Sequence, residues 1–206
     1  MTKVAVVYYS STGNVHRLAD AAATEATKAG ADVRLRRIAE LVAEPPTTDR
    51  AAWVEHTAAT RDVPEATLAD LEWADAIMFG TPVHFGHPAP PLMHFIDTTA
   101  ALSIGGRLAD KTVSAFTSGS APHGGQVTTI LALYNTFCHW GSVIVGMGST
   151  DPVLFLPTNG SPYGASNVSR NQAGNVTEEN LAAVEFQARK VLAVAAALDR
   201  GRETTA

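Results

Sequence analysis

Five consecutive residues, Ser10-Ser11-Thr12-Gly13-Asn14, set three hydroxyls and a carboxamide around one glycine. They stand between an apolar run, Val4 to Tyr9, and a segment in which Val15, Leu18, Ala19, Ala22 and Ala26 recur at helical spacing. A turn of this kind offers hydroxyls together with the unpaired N–H groups and positive dipole end of a helix start, which suits a phosphate. The stretch lacks the Gly-Lys-Ser/Thr of a nucleoside triphosphate loop, and no Gly-x-Gly-x-x-Gly follows the first strand. One phosphate held by neutral donors is therefore expected. An ordinary Ser/Thr-rich helix cap is the alternative, and the position in a first strand-to-helix turn favours the anion site. Two further polar loops, Thr81 to His87 and Thr117 to Gly125, also follow strand-like runs directly.

The remaining reactive side chains read more plainly. His84, His87, His123 and His139 come without a cysteine or closely spaced carboxylate in any zinc pattern, so no metal is expected. Cys138 and His139 are neighbours on a predicted helix and point about 100° apart, which argues against a nucleophile pair. Cys138 falls on the apolar stripe of Val127, Ile130, Leu131, Tyr134 and Phe137 and reads as core. His139 reads either as a helix-end residue bonded to backbone or as a contact to a bound ligand.

The elements that must position these residues alternate along the chain. Strands are expected at 4–9, 32–38, 76–80, 111–116 and 143–145, the first as a continuous apolar run buried on both faces and the second as an edge. Arg34, Arg36 and Arg37 there read as the charged guard of a solvated edge. Helices are expected from Val15 to Gly30, over Arg50–Thr60, from Pro64 toward Leu71, after Pro90-Pro91, from Val127 through Cys138, and after a Thr177 cap. Pro45-Pro46-Thr47-Thr48-Asp49 reads as a turn, and 146–175 as a long Gly/Pro/Asn-rich loop. Such alternation predicts α/β architecture, a parallel sheet with helices on both faces, whose ligand lies outside the carboxyl ends of the strands.

Composition bounds the rest. With 206 residues, 46% hydrophobic and 17% charged, the chain suits one packed domain over 1–200, with 201–206 expected to be a disordered tail. A net charge of −5 and the absence of a longer basic run exclude a nucleic-acid footprint. No apolar stretch reaches the ~20 residues of a membrane span, and a single cysteine with no leader-like start fits a reducing cytoplasm.

Four motifs in order, Tyr8-Tyr9-Ser10 with Gly13-Asn14, Phe79-Gly80-Thr81-Pro82-Val83-His84-Phe85-Gly86, Gly124-Gly125-Gln126, and Ser161-Pro162-Tyr163-Gly164-Ala165, resemble the WrbA family of flavodoxin-like NAD(P)H:quinone oxidoreductases. The resemblance covers nearly the whole chain. It implies a flavodoxin-like five-stranded parallel sheet of order 2-1-3-4-5, FMN as cofactor, NAD(P)H as co-substrate, and a homotetramer or dimer. The reaction it implies is two-electron, ping-pong reduction of quinones, with no catalytic side chain required for hydride transfer. Carried over by position, Ser10, Ser11, Thr12, Gly13, Asn14 and Val15 would hold the FMN phosphate. Thr81, Pro82, Val83, His84, Phe85 and Gly86 would line the ribityl chain and ring, while Thr117, Ser118, Gly119, Ser120, Ala121 and Pro122 would follow the ring's polar edge. His139 would approach the flavin from the following helix. Thr12, His84 and Ser103 stand where the family commonly has an aromatic residue, an arginine and a substrate-stacking tryptophan, which thins the stacking surfaces. The competing readings are a flavodoxin-type carrier of single electrons and a flavoprotein accessory to a transcription factor.

Overall fold

The computed structural model of the protein describes residues 1–43, 49–156 and 161–203. Strand β1, Lys3–Tyr8, explains the architecture. Its Val4, Val6 and Tyr8 point into one hydrophobic cluster, while Ala5, Val7 and the following Tyr9 point into another. The two-residue period of the strand thus feeds two cores at once. Helices α1 (Asn14–Lys28) and α7 (Glu178–Glu203) cover the first face. Helices α3 (Leu68–Trp73), α4 (Pro90–Asp97) and α6 (Gln126–Trp140) supply the second. Two short helices complete the set, α2 (Arg50–Ala59) and α5 (Ala100–Ile104).

The remaining strands are β2 (Asp32–Arg37), β3 (Ala76–His84), β4 (His87–Pro88), β5 (Thr112–Gly119), β6 (Val143–Ile144) and β7 (Ser166–Val168). The parallel path runs β2-β1-β3-β5-β6, which is the expected 2-1-3-4-5 when the hairpin strand β4 is left out. The sheet is larger than five strands, because β4 pairs antiparallel with β3 and β7 pairs parallel with β5. One edge of β5 carries β3 along its whole length. The other edge is divided: Thr112 and Val113 face β6, and Thr117 to Gly119 face β7. The expected loop 146–175 therefore contains a 3-10 helix, Pro152–Phe155, and a strand. Ser-Asn-Val is too short and too polar to show alternation, and the ladder along β5 makes it a strand.

Four other expectations differ from the structure. Strands β3 and β5 continue to His84 and Gly119, past Gly80 and Phe116, because Thr81 and Pro82 pair with Thr117 and Ser118 despite their turn-like types. The arginines of β2 staple the edge down: Arg34 Nη1 and Arg36 Nε both reach Asp70 Oδ1 at 3.0 Å, and Asp70 is buried at the start of α3. Pro64 opens no helix. Its carbonyl accepts from Arg37 N, extending the β2 edge, and Thr67 caps α3 in a box with Asp70. Helix α7 runs through Gly201 to Glu203, beyond the expected domain end. The predicted turn at Pro45 to Thr48 lies outside the described residues.

Gln187 ties the fold's late half to its centre. Its buried amide donates to Ser114 Oγ at 2.5 Å and Ala115 O at 2.8 Å, and its carbonyl accepts from Ala165 N at 2.9 Å. Replacing it by leucine leaves three buried polar groups short of a partner, at ~1–3 kcal/mol for each that stays unsatisfied. Gln187→Leu should lower the unfolding free energy in urea by about 3 kcal/mol.

Candidate functional site

The carboxyl ends of β1, β3 and β5 open into a cavity of about 530 Å³, within the usual range of small-molecule sites. Ser10, Ser11, Thr12, Asn14 and Val15 form one part of its wall, Pro82, Val83 and His84 a second, and Ser118, Gly119 and Ser120 a third. Three expected groups thus meet in one place. Each lies at or just past the carboxyl end of a strand of the parallel ladder, and parallel strands bring those ends to the same edge.

The first loop has the donor pattern that an anion cradle would need. Gly13 takes φ +95°, a left-handed conformation that glycine adopts without strain and that breaks β1 from α1. Gly13 N donates to Ser10 Oγ at 3.1 Å, closing the turn. The backbone N–H groups of Ser11, Thr12, Asn14 and Val15 find no acceptor among the described residues. No acidic side chain stands in the first turn of α1, and no side chain caps it. Four unspent donors and a helix dipole converge where a phosphate would be held.

Asn14 plays a different part from the one expected of its side chain. Its carboxamide donates to Gln172 O at 3.0 Å and Asn175 O at 3.3 Å and accepts from Gly174 N at 3.2 Å. The side chain is spent on the loop after β7, leaving only its backbone N–H for an anion. That loop places Ser169, Asn171, Gln172 and Ala173 on the cavity wall, none of them foreseen. The run Ser169 to Gly174 follows β7, so it became readable as a site loop only once that strand was known. Glu40, Leu41, Val42 and Asp49, together with Pro90 and Pro91, add the remaining surface. Glu40 is held in place by Tyr9, whose hydroxyl donates to its carboxylate at 3.0 Å, and by Trp53 Nε1 at 2.9 Å.

Several expected residues lie off the cavity wall. Thr81 and Thr117 are fully buried and knit the sheet: Thr117 Oγ1 donates to Thr81 O at 2.6 Å, and Ala89 N donates to Thr81 Oγ1 at 2.9 Å. Phe85 and Gly86 form the tip of the β3–β4 hairpin, where Phe85 takes φ +53° and is fully exposed. Ala121 and Pro122 are exposed before α6. His139 is exposed near the carboxyl end of α6. That helix starts beside the site and runs back along β5, so its 15 residues carry His139 roughly 20 Å away at 1.5 Å per residue. The hydrogen bond from Asp110 N to Gly141 O fixes that end at the start of β5. Ser103 lies in α5, which comes after α4 has crossed back from the site edge, and does not line the cavity. Cys138 is exposed, a correction to its reading as core: the buried stripe of α6 passes through Ile130, Leu133, Phe137 and Trp140 instead.

Behind the first loop sits a group of rings that sequence reasoning passed over. His16 Nδ1 lies 2.7 Å from Tyr8 Oη, and the His16 and His56 rings are 5.5 Å apart. Burial, reinforced by the neighbouring His16, pushes the His56 imidazole down to about 4, against a hydrogen bond to the Ser10 backbone. Burial also lowers His16, and it raises the Tyr8 phenol. These residues come from β1, α1 and α2, so no local spacing announces them.

Residues 2–149 match the family model described as NADPH-dependent FMN reductase. A protein of Deinococcus radiodurans named NAD(P)H dehydrogenase (quinone) is 42% identical, covering 95% of this chain and 96% of that one. Proteins of the same name from Geobacter sulfurreducens and Paracoccus denitrificans are 40% and 39% identical, covering 95% and 100% of this chain and 98% and 100% of theirs. Among solved structures, a flavodoxin, WrbA-like protein from Agrobacterium tumefaciens superposes with a TM-score of 0.67 at 23% identity over 95% of this chain and 98% of that one. An archaeal flavodoxin gives 0.60 at 18% over 94% and 99%.

The histidine pair makes stability pH-dependent. A folded value near 4 lies below the ordinary 6.5, so the unfolded chain takes up the proton first as pH falls. The contribution of His56 is complete above pH 6.5 and is lost on the way to pH 4. Urea unfolding at stepped pH should show stability declining through this window, with His56→Gln flattening the decline.

Proposed function

Because the chain belongs to the NADPH-dependent FMN reductase family, we propose that it is an FMN-dependent NAD(P)H:quinone oxidoreductase, carrying two electrons from the nicotinamide to a quinone in a ping-pong sequence. The observation that carries this reading is the cavity itself, with unspent phosphate donors at one end and an apolar wall beyond them. Its residues fit the cofactor. The backbone N–H groups of Ser11, Thr12, Asn14 and Val15, with the hydroxyls of Ser11 and Thr12, would hold the phosphate. Pro82, Val83 and His84 and the Ser118 to Ser120 strand end would flank the ribityl chain and ring, with Thr81 and Thr117 keeping those strand ends in register. FMN, when bound, supplies the acceptance and delivery of hydride.

The protein's own contribution is orientation and polarity. Ser118 Oγ is committed to Asn167 Oδ1 at 2.5 Å, which fixes the third wall against the sheet. Leu41, Val42, Pro90 and Pro91 supply apolar surface to the cavity and would shield a bound flavin from water. Glu40, locked by Tyr9 and Trp53, holds negative charge on the wall and faces His84, whose imidazole burial pushes down and the carboxylate pulls up. His84 in its neutral form offers one ring N–H to a carbonyl oxygen of the acceptor.

Assembly into a dimer or tetramer belongs to the same reading. It is supported by exposed apolar side chains on one face, Val127 and Leu131 of α6 and Met93 of α4, which a second copy would cover. Operation in the cytoplasm is supported by the single, unpaired Cys138. Among the described residues no helix is long and apolar enough to cross a membrane.

Two measurements test the reading. Purified protein should be yellow and release FMN on heating, and double-reciprocal plots of NAD(P)H oxidation at several benzoquinone levels should be parallel. Bound FMN without NAD(P)H oxidation would instead make the protein an electron carrier. Thr12→Val should weaken FMN binding by about 1 kcal/mol, one neutral hydrogen bond. Thr12→Asp should weaken it far more, by up to about 4 kcal/mol for like charges ~4 Å apart at an effective dielectric of about 20. Equal affinities in a fluorescence titration would place the phosphate elsewhere.

A further inference from the structure

The cavity is short of positive charge. Its charged lining consists of the carboxylates Glu40 and Asp49, and among the described lining residues there is neither lysine nor arginine. A nicotinamide dinucleotide nevertheless carries a pyrophosphate, for which the described lining supplies no lysine or arginine. The loop that forms the fourth wall carries one exposed cation. Arg170 lies between Ser169 and Asn171, both of which line the cavity. It makes no ion pair or side-chain hydrogen bond among the described residues.

The backbone beneath it is held in a strained shape. Arg170 and Asn171 take φ +54° and +59° in succession, a left-handed pair that strains a long side chain such as that of Arg170. The surroundings enforce it. Ser169 N and Arg170 N continue the ladder to Gly119 O and Ser120 O, Gln172 N closes on Ser169 O at 3.0 Å, and Asn14 clamps the far side. On that far side Arg17 donates to Gly174 O at 2.5 Å, so it already spends a donor on the loop. A glycine or asparagine would take this conformation with less strain; the chain instead presents a guanidinium on a rigid, strained turn.

We infer that Arg170 anchors the phosphates of the nicotinamide dinucleotide at the mouth of the cavity, and so sets the affinity for the electron donor rather than for the flavin. The inference rests on the function proposed above. The phosphate of bound flavin is a second source of the same chemistry, but the first loop already provides neutral donors for it inside the cavity, whereas Arg170 lies outside the lining. A planar guanidinium presents paired donors to phosphate oxygens, which an ammonium cannot reproduce.

The test uses the full-length, FMN-loaded protein, Arg170→Gly and Arg170→Lys. Binding of NAD⁺ and NADP⁺ is read by equilibrium titration of flavin fluorescence or absorbance, FMN affinity by titration of the apoprotein, and stability by thermal unfolding. Arg170→Gly should weaken dinucleotide binding about tenfold and flatten its salt dependence while raising the melting temperature, because glycine relieves the left-handed strain. FMN affinity and the KM for unsubstituted benzoquinone should stay within about twofold of the parent. Arg170→Lys should recover the salt dependence but only part of the affinity. Unchanged dinucleotide binding in Arg170→Gly would overturn the inference and leave the proposed function standing. Loss of FMN affinity in place of dinucleotide affinity would overturn it in favour of the flavin's own phosphate. A parent protein that holds FMN but binds neither dinucleotide would overturn both.

Discussion

Strand β5 has two hydrogen-bonding edges, and the division of one of them is the constraint from which the site follows. Its β3 edge brings Pro82 level with Ser118, with Val83 and His84 just beyond. Its other edge is given to β6 at the start and β7 at the end, so the loop after β7 emerges beside the loop after β5. Had β6 continued along the whole of β5, no strand end would stand beside Ser118 to launch residues 169–173 into the cavity. A parallel ladder also fixes direction: every strand delivers its next loop to the same rim, and each returning helix carries its far end to the other. That is why His139, near the far end of the returning helix α6, and Ser103, beyond the returning helix α4, do not share the rim with Ser10 and Ser118 within this chain.

Within the rim, one carboxamide joins the first and last loops. Asn14 leaves its backbone N–H to the anion cradle and spends its side chain on Gln172, Gly174 and Asn175. With Arg17, which donates to Gly174 O, it ties the start of α1 to the fourth wall. The donors at the first loop are neutral backbone groups at a helix start, and among the described lining residues there is neither lysine nor arginine. Charge is placed where solvent can screen it, and unscreened polar groups are paired: Glu40 with Tyr9 and Trp53, Ser118 with Asn167, and Asn167 in turn with Asn180.

Much of this was legible in the residues. The apolar run of β1, the hydroxyl-rich turn after it and the capped helices carry their own local signals, and those signals agree with the fold. What escaped reading is non-local. Ser166-Asn167-Val168 is a strand only because β5 offers it an edge, and Glu40 belongs to the site only because Tyr9 and Trp53, thirteen or more residues away, turn it inward. Thr81 and Thr117 look like ligand donors by type, yet the ladder consumes their hydroxyls. Asn14 shows both sides of the problem, since type and position pointed to the right place and its partners, about 160 residues along, decided its role.

That last separation has a bearing on how the protein comes into being. Synthesis runs from the amino end, so the anion cradle leaves the ribosome among the earliest segments and the turn that Asn14 grips among the latest. Until β7 and α7 have emerged, Asn14 has nothing to hold, the first hydrophobic cluster lacks Val184, Ala188 and Val191, and β5 keeps a bare edge. A nascent chain therefore presents the first loop, with its unpaired backbone donors, and no enclosing wall. The ability to retain a cofactor arrives with completion of the chain, which makes retained cofactor a report on whether the whole polypeptide has been made and closed.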